Sequence, residues 1–184
     1  AVIKDWVTPE WLGAMRDAAV DSAGLERLTA KGFLRTARRG FAFVHHLVST
    51  VVYTSIPAEV RRRLHHAVAE HLRLLDAPVS AVAYHAYEAD DGPRAMEELD
   101  RAGTAAVQCL DLGAASQFYS RALEGVRREW GRGRMRENEL DQLAVDLAHR
   151  LAAVLRRRGD TLAAKGVLEE TLSVAAGEDA SRAG

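Results

Sequence analysis

His45 and His46 stand in Phe43-Val44-His45-His46-Leu47-Val48, where a β-favouring run gives way to a helix-favouring one. At such a junction an imidazole and the free N–H groups of a first helical turn point at one place, which attracts an anion. The commoner role of a lone histidine there is to cap the helix. His66, Glu70 and His71 look superficially metallic, yet the two histidines are five residues apart. They cannot share a helix face as an i, i+4 pair would, so a solvated helix without a metal is expected. Cys109 is the single cysteine, which excludes an internal disulfide framework and a multi-cysteine zinc site. Its apolar position in a helical stretch predicts a buried thiol.

Phosphate chemistry needs particular loops, and none is present. G-x-x-x-x-G-K-[ST], G-x-G-x-x-G, H-E-x-x-H and G-x-S-x-G are all missing from the chain. The chain by itself is expected to bind no cofactor and to hydrolyse no ATP. Arg35, Arg38 and Arg39 cluster in one short run and Arg61-Arg62-Arg63 in another, and both could meet phosphates of DNA. The helix that would have to read bases, near Asp21 to Lys31, sets Asp21 and Glu26 against Arg27 and Lys31. A solvated basic face, or one that meets another domain, fits these charges better than DNA recognition.

The elements that must position these residues follow from turn chemistry and periodicity. Thr8-Pro9-Glu10 predicts a helix start, with Trp11, Leu12, Met15 and Ala19 at helical spacing. A second short helix is predicted over Ser22 to Lys31, with Leu25 and Leu28 inward and Gly32 as its stop. Residues 33–44 hold two β-favouring runs around a basic turn, the pattern of a hairpin. Helices over His46 to Ser55 and Pro57 to Leu75 come next. Helix, helix, hairpin, helix is the order of a winged-helix-like module, spanning 1–76.

Beyond Asp76-Ala77-Pro78 the pattern predicts only helices, near 79–89, 93–110, 112–129, 136–158 and 161–175, joined by short turns that imply antiparallel neighbours. Ala102-Gly103, Ala106, Ala115, Tyr119 and Ala122 have the small and large spacing of a tetratricopeptide (TPR)-like hairpin. A shift of 49 residues finds Leu151-Ala152, Leu155, Ala164, Leu168 and Thr171 in the same size pattern. Two degenerate repeats are therefore read over 77–184, with Tyr119 and Leu168 buried at equivalent positions. A polar insert around 127–139 lengthens the period, and trimming its Arg132 or Arg134 should cost little. An ordinary antiparallel helical bundle is the alternative. The fold class expected is mainly α, a winged-helix-like N-terminal module followed by antiparallel TPR-like helical hairpins.

Apolar residues make up 48% and charged residues 28%, a globular balance. The first 76 residues carry 11 Lys/Arg and 8 Asp/Glu, while residues 77–184 carry 14 and 18, so a mildly basic part precedes an acidic one. No apolar run approaches the roughly 20 residues of a membrane span, and no leader pattern opens the chain, so a cytoplasmic location with no membrane partner is expected. The start at Ala1 rather than Met reads as a segment of something longer.

Several short stretches carry a family resemblance: Leu25-Glu26-Arg27-Leu28, Gly32-Phe33-Leu34, Phe43-Val44-His45-His46-Leu47-Val48, Arg61-Arg62-Arg63-Leu64-His65 and Ala115-Ser116-Gln117-Phe118-Tyr119-Ser120-Arg121-Ala122-Leu123. In this order and spacing they resemble the region that follows the ATPase core in STAND-type signalling ATPases, including large ATP-binding LuxR-type regulators. The resemblance runs from Leu25 to Val126 and continues more weakly to Val174. It implies a winged-helix part packed on an upstream nucleotide-binding domain, with ATP or ADP bound in the longer protein. It further implies that Val44-His45-His46 stands for the Met-His-Asp motif, making His45 the sensor of the ADP phosphate. The departure is His46, where the family usually has Asp. The helical repeats would bind a protein partner or effector. On this reading the chain is a non-catalytic regulatory and protein-interaction segment. The competing reading is a stand-alone winged-helix DNA-binding transcription regulator with a helical dimerisation or effector-binding tail.

Overall fold

The computed structural model describes residues 22–175 except 38, 39, 131, 133 and 134. The helix predicted from Thr8 and the residues Arg38, Arg39 and Arg134 lie outside the described residues. Among the described residues the chain is mainly helical, with eight helices and one two-stranded antiparallel sheet. None of those helices is long and apolar enough to cross a membrane. The fold divides into two compact units, 1–77 and 78–184.

In the first unit α1 (Ser22–Ala30) leads into β1 (Leu34–Ala37) and β2 (Gly40–Phe43), followed by α2 (His46–Ser55) and α3 (Ala58–Leu74). The strands pair as Leu34 with Phe43, Arg35 with Ala42, Thr36 with Phe41 and Ala37 with Gly40. The stop of α1 is a six-to-one turn in which Phe33 N–H donates to the Leu28 carbonyl at 3.0 Å. Leu25, Leu34 and Ala42 are buried, whereas Leu28 is 42% exposed. The expectation that Leu28 points inward is therefore corrected: three residues on from Leu25 falls short of a full helical turn, which carries Leu28 off the buried face near the end of a helix of 9 residues.

The second unit runs α4 (Val79–Glu88), α5 (Pro93–Gln108), α6 (Leu112–Trp130), α7 (Glu137–Arg157) and α8 (Thr161–Ala175). Each helix packs chiefly on the one before it and the one after it. Amphipathic stripes supply the contact: Met96, Leu99, Ala102 and Ala106 on α5 meet Ala115, Tyr119, Ala122, Leu123 and Val126 on α6, and Leu140, Ala144, Leu147 and Leu151 on α7 continue the same core. Between α5 and α6 the approach is closest at Gly103. A Cβ built there would stand 2.5 Å from Tyr119 Cε1, so only glycine admits the ring. The Tyr119 hydroxyl ends 3.2 Å from Thr104 Oγ1, which gives the phenol a polar partner inside the pair.

Two of the turns share one form. After α5, Asp111 N–H donates to the Ala106 carbonyl at 2.9 Å, and the Asp111 carboxylate accepts from Ala114 N–H at 2.9 Å to cap α6. After α7, 49 residues on, Asp160 N–H donates to the Leu155 carbonyl at 2.9 Å, and the Asp160 carboxylate accepts from Ala163 N–H at 3.1 Å to cap α8. The residue before each aspartate is left-handed, Leu110 at φ 60° and Gly159 at φ 86°. This turn corrects the placement of Cys109, which is exposed rather than buried. It sits at the C-cap of α5, where the chain is already swinging out into the left-handed Leu110.

Two further corrections concern the repeat. Tyr119 is buried, but Leu168 is only partly buried, because Leu is shorter than Tyr and α8 has a neighbour on one side only among the described helices. The polar insert is not inert: α6 continues through Trp130, and Arg132 Nη1 bonds both Asp90 carboxylate oxygens at 2.8 and 2.7 Å and the buried Glu129 at 3.3 Å.

Two stability predictions follow. Gly103→Ala should cost about 1–3 kcal/mol by overpacking against Tyr119, while Gly166→Ala, whose Cβ meets nothing within 4 Å on α8, should gain roughly 0.5–1 kcal/mol of helix propensity. Urea denaturation of both variants checks the sign of each. Leu110→Gly should raise stability by about 0.5–1 kcal/mol. A left-handed non-glycine residue costs roughly 1–2 kcal/mol, only partly offset by the chain entropy of glycine. Because Leu110 is 74% exposed, little burial is lost. The midpoint of thermal unfolding should rise for Leu110→Gly and fall for Gly159→Leu.

Candidate functional site

The strand-to-helix junction is built as its residues dictate. β2 ends at Phe43, Val44 N–H donates to the Phe33 carbonyl at 3.0 Å to close the hairpin, and His45 then takes extended angles, φ −123° and ψ 128°. The His45 carbonyl accepts from Val48 N–H at 3.1 Å and Ser49 N–H at 3.3 Å, so His45 is the N-cap of α2 by its backbone. Its imidazole makes no capping bond and is exposed. The side chain therefore does not consume the donors of the first turn, and the junction keeps an exposed imidazole beside a helix start. His46 is exposed too, with Nδ1 3.5 Å from Thr50 Oγ1, one turn along α2.

The described arginines differ in their surroundings. Arg35 is exposed on β1. Within the arginine run on α3, Arg61 turns back onto α2: its Nη1 donates to the Tyr53 and Ile56 carbonyls at 3.4 and 3.2 Å, and its guanidinium lies 5.1 Å from the Tyr53 ring centroid. Arg62 pairs with Glu59 at 3.1 Å. One of three arginines thus closes the carboxyl end of α2, a second pairs on its own helix, and Arg63 is exposed. His66 is exposed and His71 half-buried on α3.

No motif signals the polar centre of the first unit. His65 is fully buried, its Nε2 lies 3.1 Å from the Tyr53 hydroxyl, and the two rings meet edge to face at 5.9 Å. The pair joins α2 to α3 across 12 residues, a spacing no short motif encodes.

In the second unit the polar side chains tie every second helix together. Tyr87 on α4 donates to Glu124 Oε2 on α6 at 2.7 Å and accepts from Arg128, whose guanidinium stacks 4.7 Å from the ring centroid, with Arg121 at 5.4 Å. Burial first, then the bond to Glu124, raises the Tyr87 phenol above its ordinary range, and the Tyr87 bond holds the Glu124 carboxyl below its own. Arg150 on α7 reaches Asp100 and Thr104 on α5, at 2.9 and 3.4 Å. Arg127 on α6 meets Glu170 on α8 at 2.8 Å. Burial raises the Asp100 carboxyl despite Arg150 beside it.

The chain matches no family model, no curated protein and no solved structure.

Because the His45 side chain bonds nothing in its helix, His45→Ala should change the stability of the chain by no more than about 0.5 kcal/mol. Guanidinium denaturation followed by circular dichroism checks this. A loss near 1 kcal/mol, the usual worth of a helix cap, would mean that the imidazole does cap α2 in solution.

Proposed function

We propose that the chain is a non-catalytic regulatory and protein-interaction segment of a larger STAND-type ATP-dependent signalling or transcription regulator. In this reading the first unit is a winged-helix-like module and the second a stack of TPR-like hairpins. The observation that carries it is the recurrence at 49 residues of one whole device: a six-to-one turn, a left-handed residue, an aspartate cap and a small alanine on the next helix, at Ala106 to Ala115 and again at Leu155 to Ala164. Polar bonds between alternate helices and packing between sequential ones support a stacked array over a closed bundle.

The role of the first unit rests on the order helix, hairpin, helix and on the exposed imidazole of His45 at the start of α2. A phosphate oxygen placed there would meet an N–H donor beside a helix start whose dipole already favours negative charge. The imidazole makes no capping bond to its own helix, so a bound phosphate would not have to displace one. The helix that would read bases sets Glu26 against Arg27 and Lys31, so contact with DNA is left to other parts of the longer protein.

The test is ADP release from the longer protein, wild type against His45→Ala. A charge-assisted hydrogen bond of about 1.5–3 kcal/mol predicts release faster by roughly one to two powers of ten. The 184-residue chain alone should give no heat on calorimetric titration with ADP or ATP. Unchanged release from the longer variant would remove His45 from the nucleotide site.

A further inference from the structure

We propose that Leu28, Phe33, Val44, Leu47 and Val51 form a docking surface for an acidic amphipathic helix of a protein partner. The inference rests on the exposed surface of the first unit and not on the role proposed for His45.

An ordinary amphipathic helix buries its apolar stripe and exposes its hydroxyls. α2 does the reverse. Ser49 is its buried residue and Tyr53, one turn on, bonds His65, whereas Leu47 is 73% and Val51 59% exposed. Leu47 and Val51 lie one turn apart and so share a helix face. The apolar surface does not stop at the helix. Val44, just before α2, takes its backbone bond from Phe33, and Phe33 takes its own from Leu28, both at 3.0 Å. All three are exposed large apolar residues. Backbone pairing therefore stitches Leu28, Phe33 and Val44 into one strip that runs on into Leu47 and Val51. Five exposed apolar side chains in sequence-distant but bonded positions make a patch, which isolated surface leucines do not.

Charge identifies the occupant. Residues 22–55 carry five Lys or Arg against one acid, Glu26. Arg27 and Lys31 flank Leu28 at the end of α1, and Arg35 stands on β1 two residues beyond Phe33. All three are exposed. A complementary partner is apolar along its centre and acidic at its edges. A helix suits the shape better than a bilayer does. Leu28, Phe33 and Val44 are more than half covered, and Leu47 and Val51 are the most exposed of the five. Partly covered apolar side chains beside two more exposed ones suit the ridges of a crossing helix, whereas two well-exposed aliphatic groups insert too little to hold a membrane surface.

The test uses the 184-residue chain and three probes. The first is a fluorescein-labelled peptide helix of roughly five turns, leucine on one stripe and glutamate on its flanks; the second carries lysine on the flanks; the third is phosphatidylserine vesicles. The glutamate peptide should bind saturably, shifting the amide resonances of Phe33, Val44, Leu47 and Val51, and the lysine peptide and the vesicles should not bind. The double variant Leu47→Ser, Val51→Ser should weaken binding at least about tenfold, as loss of central apolar contacts does. Both residues are exposed, so its unfolding midpoint should match wild type, and that match shows the loss is one of contact. Equal binding of the two peptides, wild-type affinity of the double variant, absence of binding to the glutamate peptide, or binding to vesicles would each overturn the proposal. None of these outcomes bears on ADP release by His45→Ala.

Discussion

The helical array depends on how closely α5 and α6 approach. Gly103 leaves a notch in α5 that takes the Tyr119 ring, and Gly125 leaves one in α6, where an added Cβ would stand 3.0 Å from Met96 Cγ. Each helix therefore receives a large side chain from the other. The exchange sets both the distance and the axial register of the pair, since neither ring nor thioether has room to slide past its notch. With that register fixed, Asp100 and Thr104 on α5 present their oxygens to Arg150 of α7. On α6, Glu124 and Arg128 similarly face Tyr87 of α4.

These polar ties differ from ordinary surface pairs. Tyr87 is held by a carboxylate on one side and a guanidinium on the other, with two guanidinium groups near its ring. Such a network is cooperative in a way that single exposed ion pairs, worth little each, are not. Its members stand 37 to 41 residues apart in sequence, so it orders elements that share no local contact. Arg132 does the same for the turn after α4, bonding Asp90, whose φ of 57° is itself a left-handed strain that the pairing helps to hold.

The first unit is organised by a different constraint. Its α2 gives up an apolar inner face so that Tyr53 can reach the buried His65, and Arg61 closes the end of the same helix through the Tyr53 and Ile56 carbonyls. A buried imidazole needs a partner, and supplying one fixes the rotation of α2 about its axis. The consequence is that Leu47 and Val51 face outward, and the surface and its polar centre are two sides of one rotation.

Much of this was legible in the residues. Asp90-Asp91-Gly92-Pro93, Asp111-Leu112-Gly113 and Gly159-Asp160 marked the helix breaks, because left-handed and capping positions accept few residue types, and the helices end and begin within a few residues of them. The hairpin over 33–44 and the helix from His46 to Ser55 are equally local. Rotation and partner choice were not. Periodicity counts apolar residues but cannot say which face of a short helix meets a neighbour, so Leu28 and Cys109 read as inward from their spacing and lie exposed. Nor could spacing reveal that Tyr53 meets His65, that Arg132 meets Asp90 or that Tyr87 meets Glu124. Local sequence determined where each element starts and stops, because caps, turns and propensities act within a few residues of themselves. Which side of each element is buried, and which charge finds which, only the tertiary structure decided, because those energies arise between segments that the chain brings together only on folding.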